Sequence, residues 1–294
     1  MKRLSDHVML LGNGHFNYYV AGVKEAALIE CGTSAGAAIF ARQWEALEEK
    51  VNIKYIIIMH AHFDHACGLP ILKSLFPQAE VIASHAGKTI LAKERIVKAL
   101  YANDAYVSEL YKRQGLLDKI PETEGISELV VDRIATDGDI LELGEGVSLQ
   151  ILEAPGHSVC SLAAYLKEDQ AMFVSDAAGY GDDSGNISPV FFHDYDSYIN
   201  TIKRLKEFPT RILGVAHGQV VRDSAVNRFY EKGLLAAGKA FDQIQAGLVA
   251  DVAEKDIARE LFNQYITGTL ACYPEEMMLA SMELLIKNVK AKLT

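Results

Sequence analysis

Cysteine is scarce in this chain and never paired. Of 294 residues only Cys31, Cys67, Cys160 and Cys272 are cysteines, with no C-x-x-C spacing, so neither a disulfide framework nor a thiolate zinc site is expected. Long apolar runs are missing too. The opening MKRLSDHVMLLGNG has two basic residues but only VMLL before Gly12-Asn13-Gly14, too short for a signal-peptide core or a membrane span; a cytoplasmic location with no membrane partner is the expectation. Positive charge is in deficit, since 29 Lys and Arg against 39 Asp and Glu leave a net charge of -10. Such a chain has no whole-molecule field to draw in a polyanion, and no nucleic-acid partner is expected. The sequence shows no tandem repeat or low-complexity tract. What it does have is a half-apolar composition long enough to bury a large core, which fits one large domain or a domain with an appendage.

Along the first half, short apolar strands alternate with helices. FNYYVAG (16–22) and EAALIEC (25–31) form a hairpin around Val23-Lys24, followed by a helix over about 35–50 and the strand IKYIIIMH. CGLPILKSLF is then a helix and EVIAS a strand, and 86–115 reads as one helical stretch with Ile96, Leu100, Val107, Leu110 and Tyr111 on its apolar positions. From 130 to 174 the pattern changes to successive strands, DILELGEG, VSLQILEA, SLAAYLK and AMFVS, separated by Gly, Pro and charged turns. A helix (197–208) and the strand RILGVAH follow. Sheets flanked by helices in both halves predict an α/β fold of two packed sheets with helices outside. Residues 222–294 offer no strand; Met278, Met282, Leu285 and Val289 keep helical spacing, as do Ile257, Leu261 and Tyr265. Two units are expected, 1–221 and a helical cap over 222–294. The cap's apolar pattern, more than the sandwich alone would bury, predicts that it walls a pocket and contributes to a homodimer.

Nine histidines are present, and three of them fall in IIIMHAHFDHACG. The apolar run is a strand buried on both faces, and its end carries His60, His62, Asp64 and His65, which offer imidazole and carboxylate donors to one small region. His157 in EAPGHS, Asp176 after AMFVS and His217 in GVAHG each follow another predicted strand; Gly156 and Gly218 beside the two histidines let the backbone turn sharply. Five imidazoles and two carboxylates suffice for two divalent ions. Three imidazoles suit one ion, two imidazoles with a carboxylate suit a second, and a two-oxygen carboxylate can bridge them. Zinc is the default for a His-rich set, with iron or manganese open.

With H-x-H-x-D-H followed by separate His, Asp and His, the chain resembles the metallo-β-lactamase-fold hydrolases over roughly residues 8–221. The resemblance implies an αββα sandwich with two divalent metal ions per chain, His60, His62 and His157 at one, Asp64, His65 and His217 at the other, and Asp176 bridging. Within that family the chain is more closely similar to the 2-aminobenzoylacetyl-CoA thioesterases of quinolone-signal biosynthesis: VIASH, DGDILELG, PGHS, SDAAG, FFHDYDSYINTIKRL and PEEMMLASMELL have counterparts in the same order. It departs at Tyr180, where those enzymes carry glutamate, so pocket and substrate are expected to differ.

Two divalent ions about 3.5–4 Å apart lower the pKa of a bridging water toward neutrality and stabilise the oxyanion formed on a carbonyl or phosphoryl centre. The expected function is therefore hydrolysis of a small-molecule substrate, an acyl-CoA thioester, by a metal-bridging hydroxide. Asp64 is the candidate to orient the hydroxide and take its proton, and Tyr180 is either a donor to the oxyanion or a piece of the pocket wall. A thiolate with a pKa near about 8.5 leaves without an acid, and the sequence shows no dedicated one. A phosphodiesterase or a lactonase would use the same dinuclear site. A diiron reductase of this fold carries Glu where His62 stands and needs a flavin domain, and a vestigial binding protein would not keep every ligand. Two other features compete. Gly32-Thr33-Ser34-Ala35-Gly36 matches the G-x-S-x-G nucleophile elbow, although the best triad histidines already belong to the metal set. Residues 84–114 hold Lys88, Lys93, Arg95, Lys98, Lys112 and Arg113 against Glu94, Asp104 and Glu109, a basic stretch that is either a solvated face or a seat for the phosphates of coenzyme A. His7, His15, His85 and His193 are given no metal, with His193 the candidate to line the pocket.

Overall fold

Alternation within each strand sorts the apolar residues into two sets. In the computed structural model, which describes residues 1–182 and 185–293, Tyr19, Ala27, Ile29, Tyr55, Ile57, Met59, Leu149, Ile151, Ala164, Phe173 and Ile212 form one cluster between two sheets. Their strand neighbours Tyr18, Val20, Ala26, Leu28, Ile56, Ile58, Ala163, Met172 and Val174 point the other way, into a second cluster shared with helices. Each central strand is thus buried on both faces, which is why IIIM shows no polar alternation. The result is the expected αββα sandwich.

The first sheet runs in sequence order through β1 (Lys2–Arg3), β2 (Val8–Gly12), β3 (Asn17–Gly22), β4 (Glu25–Ile29), β5 (Asn52–Ile57), β6 (Glu80–Ser84) and β7 (Arg133–Ala135). It is antiparallel up to β4 and parallel from β4 to β7. Its parallel steps need crossovers, and α1 (Ser34–Glu45), α2 (Phe63–Ala66) with α3 (Leu69–Leu75), and α4 (His85–Leu91) with α5 (Glu94–Arg113) supply them. The second sheet starts from β8 (Ile140–Glu142), β9 (Ser148–Glu153), β10 (Leu162–Leu166) and β11 (Ala171–Ser175). A short ribbon of β12 (Tyr180–Gly181) and β13 (Ile187–Ser188) and helix α6 (Tyr195–Lys206) then lead to β14 (Ile212–Val215), which pairs parallel with β11, and β15 (Val221–Arg222). After these come α7 (Ser224–Val249), α8 (Glu254–Tyr265), a 3₁₀ turn (Gly268–Cys272) and α9 (Glu275–Leu293).

Three expectations change. The single helix over 86–115 is two, because the Leu91 carbonyl accepts from Leu129 N–H at 3.0 Å and Lys93 adopts an extended backbone that caps α5. The helix expected to reach residue 50 stops at Glu45. Strand β15 reaches Arg222, one residue into the segment expected to be purely helical. The stripes Ile257, Leu261 and Tyr265 and Met278, Met282, Leu285 and Val289 are buried within the chain and join the helix-side cluster of the sandwich. That apolar pattern is satisfied internally and no longer argues for a second copy. Among the described residues no helix is long and apolar enough to cross a membrane.

Candidate metal centre

Four loops deliver polar groups to one rim of the sandwich. After β5 the chain turns into α2, so that His60, His62, Asp64 and His65 are presented within six residues, and Ala61 N–H is held by Cys160 Sγ at 3.3 Å. His157 is aimed by Gly156, whose φ of 127° and whose contact with Tyr198, 2.2 Å from where a Cβ would stand, admit no side chain. The Gly156 carbonyl also accepts from the N–H groups of His193 and Asp194, pinning the loop to the start of α6. Asp176 follows Ser175, whose φ is 50° and whose strand pairing is irregular. His217 follows β14, and Gly218 N–H is fixed to the Gly14 carbonyl at 2.7 Å.

All seven expected residues converge. His60 Nε2, His62 Nδ1 and His157 Nε2 form a triangle with edges of 3.1, 3.1 and 3.2 Å. His65 Nε2 and His217 Nε2 lie 3.3 Å apart, with Asp64 Oδ1 3.7 Å from the first and Asp64 Oδ2 3.8 Å from the second. Asp176 sits between the two groups: Oδ2 is 3.5 Å from His157 and 3.3 Å from His65, while Oδ1 is 3.7 Å from His217. His60, His62 and His157, then His60, His65 and Asp176, then Asp64, His65 and His217 each bring three donor atoms within 4.8 Å.

The far side of each ring decides what the near side can do. His65 Nδ1–H donates to Glu30 Oε2 at 2.9 Å, His157 Nδ1–H to the Val190 carbonyl at 2.8 Å and His217 Nδ1–H to the His15 carbonyl at 2.6 Å. With those protons turned outward, the neutral rings that a cation requires present their Nε2 lone pairs inward, toward one another. A tetrahedral ion with bonds of 2.0–2.1 Å needs donor edges of about 3.3–3.4 Å, close to the edges of the His triangle. The donor set fits two divalent ions, and its nitrogen-rich half suits zinc. Burial, and then the positive charge of neighbouring imidazoles, holds His60 well below the usual histidine range. Burial drops His62 to about 3. At His65 burial also opposes a charge, but the carboxylates of Glu30, Asp176 and Asp64 outweigh it and hold the ring well above that range. Burial pushes Asp176 up, and the imidazoles of His65, His217 and His157 more than reverse that.

Several groups around the centre carried no sequence motif. Glu30 had a faint signal, a charge closing the apolar strand EAALIEC. His15 is half-buried, with Nδ1 2.9 Å from Tyr111 Oη and Nε2 3.4 Å from Cys272 Sγ; desolvation, followed by the His217 charge, lowers it to about 4. Tyr273 Oη donates to Asp64 Oδ2 at 3.2 Å, across 209 residues of chain, with no local signal at all. The Tyr180 ring stacks on His217 with centroids 4.7 Å apart, and its hydroxyl is 2.6 Å from Thr269 Oγ1. His193 is exposed, and its neighbour Phe192 takes the place expected of it in the cavity wall. His85 is exposed and His7 pairs with Asp169 at 2.7 Å. Ser34 is no nucleophile elbow: its hydroxyl is buried, donates to the Cys67 carbonyl at 3.2 Å, and has no imidazole partner among the described residues. The GTSAG turn serves the core instead. Thr33 caps α1, and a Cβ on Gly32 would stand 1.9 Å from Tyr18 Oη.

The centre floors a cavity that opens to solvent. Its walls are Phe63, Leu100, Val190 and Phe192 on one side and Ile266, Leu270, Met277, Met278, Met282 and Leu284 from the C-terminal segment on the other. Asn103, Ser188 and Ser281 are its scattered polar groups, and no lysine or arginine among the described residues lines it.

Fold and donor set define a chain of one large group of proteins, and the comparison with known families agrees. Residues 11–217 match the metallo-beta-lactamase superfamily, and the chain belongs to that superfamily. It is 24% identical over 249 residues to the metallo-beta-lactamase fold-containing protein ST1585 of Sulfurisphaera tokodaii, covering 82% of this chain and 86% of that one. The crystal structure of ST1585 superposes with a TM-score of 0.60 over 97% of this chain and 98% of the other, at 22% identity. The chain is also 25% identical over 273 residues to an atrochrysone carboxyl ACP thioesterase of Claviceps purpurea, covering 88% and 71% of the two chains. The sec-alkylsulfatase Pisa1 from Pseudomonas shares the fold, with a TM-score of 0.66 at 14% identity; 98% of this chain matches 49% of that one.

Proposed function

We propose that the chain is a dinuclear metal-dependent hydrolase that cleaves an acyl thioester carried on coenzyme A or a related phosphopantetheine arm, with His60, His62 and His157 holding one ion, Asp64, His65 and His217 the other, and Asp176 bridging. The observation that carries this reading is the pairing of the donor set with an apolar, cation-free cavity directly above it. Such a cavity takes an uncharged aromatic or aliphatic acyl group and disfavours a phosphodiester, whose anion would be desolvated with no lysine or arginine to meet it. The similarity to a thioesterase that acts on an acyl carrier protein supports the same substrate class. Bound at the centre, the ions would supply Lewis acidity and a nucleophilic water at neutral pH.

The remaining chemistry falls to the protein. Asp64, facing the cavity, orients the attacking water and accepts its proton at a carboxylate oxygen. Tyr180 donates to the carbonyl oxygen as charge develops there. The contact with Thr269 permits that donation when the Thr269 hydroxyl donates to Tyr180 Oη, leaving the phenol's own proton for the substrate. Thiolate departs without an acid. Residues 222–294 act as a cap that excludes water and shapes the acyl pocket. Leu100 and Asn103 of α5 border the cavity, and to Lys93 and Arg95, exposed at the start of that helix, this reading assigns the phosphates of coenzyme A.

The test is metal analysis of the purified chain coupled to hydrolysis of acyl-CoA esters, lactones and phosphodiesters. Two metals per chain, loss of hydrolysis on chelation and in Asp176→Ala, and preference for an aromatic or β-keto acyl-CoA are expected. Reversing Lys93 and Arg95 to glutamate should raise KM for the CoA ester with kcat nearly unchanged, because the lost contact is remote from the reacting carbonyl. A kcat/KM for bis-aryl phosphates or lactones above that of every acyl-CoA would replace the thioesterase reading.

A further inference from the structure

The C-terminal segment does more than roof the cavity: its 3₁₀ turn and the residue after it reach three groups around the centre. Thr269 Oγ1 meets Tyr180 Oη at 2.6 Å, and the Tyr180 ring stacks on His217. Cys272 Sγ meets His15 Nε2 at 3.4 Å, and the His15 carbonyl accepts from His217 Nδ1. Tyr273 Oη donates directly to Asp64 Oδ2 at 3.2 Å. All three contacts fall on the Asp64–His65–His217 group. Among the described residues none of them reaches His60, His62 or His157, whose outward hydrogen bonds run to the strand-end residue Ser175 and to the Val190 carbonyl.

We infer that Tyr273 is a positioning residue for Asp64, and that the turn at 268–273 sets how tightly the Asp64–His65–His217 group holds its cation, independently of the His60–His62–His157 group. The inference rests on the two-metal reading of the site. Asp64 lies on the short helix α2, and among the described residues its carboxylate has one hydrogen-bond donor to fix its rotamer, the Tyr273 hydroxyl. Tyr273 is 6% exposed and packs edge-on against His15 and Phe63, with ring centroids 5.6 and 6.0 Å away, so its hydroxyl has little freedom to leave. Without that donor the carboxylate must be ordered by the cation itself, and the ordering cost appears as lost affinity at one half of the centre. Residues far apart in sequence would thus give the two halves unequal affinities, with the weaker half depending on a docked C-terminal segment.

The experiment is a calorimetric titration of the full-length, metal-stripped chain with zinc alone, reading two binding steps, for the wild type, Tyr273→Phe and Phe63→Leu. Tyr273→Phe keeps the ring and removes only the hydroxyl. One step should weaken roughly 10- to 100-fold while the other stays within about twofold. Phe63→Leu loosens packing around Tyr273 but keeps the hydroxyl, and should lower the melting temperature and weaken the same step by less than Tyr273→Phe does; a larger loss than in Tyr273→Phe would overturn the inference. Equal weakening of both steps in Tyr273→Phe, or a titration superposable on wild type, would overturn the inference alone. A wild-type chain that takes up fewer than two zinc ions would overturn the two-metal reading and the inference with it.

Discussion

Asp104→Asn isolates one buried carboxyl whose protonation should be visible in the stability of the whole chain. Asp104 lies on α5, 1% exposed, and its Oδ1 accepts from Ser34 N–H at 2.8 Å. Burial, only partly offset by that hydrogen bond, raises its pKa from an ordinary 3.8 to about 6. The folded chain therefore holds a proton that the unfolded chain releases between pH 4 and 6. A raised acid contributes stability that is complete below pH 3.8 and is lost as pH climbs to about 6. The difference of 6 − 3.8 = 2.2 pKa units, at about 1.4 kcal/mol each, comes to roughly 3 kcal/mol. In the asparagine variant the amide oxygen still accepts from Ser34 but nothing titrates. Urea denaturation of both proteins from pH 4 to pH 8 reads the difference in unfolding free energy, in which all shared titrations cancel. That difference should move in favour of the variant by roughly 2.5 kcal/mol between pH 4 and pH 7, the rest being lost already at pH 4, whatever its absolute value, which also includes the partner of the new amide nitrogen. Parallel curves would show that Asp104 is ionised in the fold throughout and would refute the reasoning.

Glu30→Gln keeps an acceptor for His65 Nδ1–H but removes its charge. Zinc affinity measured by chelator competition should fall roughly 10- to 100-fold with the far-ultraviolet circular dichroism unchanged, and an unaltered affinity would remove Glu30 from the centre's support. Truncation after residue 221 strips the helix-side cluster of Tyr230, Ile244, Leu261 and Leu285, each at most 1% exposed. The shortened chain should aggregate on expression, and a soluble monomer with unchanged kinetics on the same substrates would count against the capping role of 222–294.

The seven convergent donors were readable in the sequence because each stands at the end of an apolar strand, and the ends of strands on one side of a sandwich must lie near one another. Strand and helix periods likewise predicted the two sheets and most of the helices. What resisted was whatever depends on geometry beyond the local period. The break at Leu91 comes from a hydrogen bond to Leu129, 38 residues on. GTSAG has the letters of a nucleophile elbow, yet Ser34 points its hydroxyl at Cys67, and only the path of the chain after the turn could show that. Tyr273 meets Asp64 because α7 and α8 return the chain to the rim, a path that no pattern within either segment encodes.

Backbone strain at the centre shows the same limit from another direction. Glu30 and Ser175 are non-glycine residues at φ values of 81° and 50°, a conformation that costs of order 1–3 kcal/mol each and persists only where the surroundings impose it. Nothing in the sequence marks them, since the residue that signals such a backbone is glycine. Both converge on one ring: Glu30 Oε2 is 2.9 Å and Ser175 Oγ 3.3 Å from His65 Nδ1. His65 is also the imidazole whose Nε2 lies within 3.8 Å of Asp64, Asp176 and His217 at once. A ring shared by so many donors must be fixed in direction before any ion can choose among them. Relieving either strained residue by glycine would lower the conformational cost of the fold and, by removing the side chain that holds His65, loosen the part of the centre on which the most contacts depend.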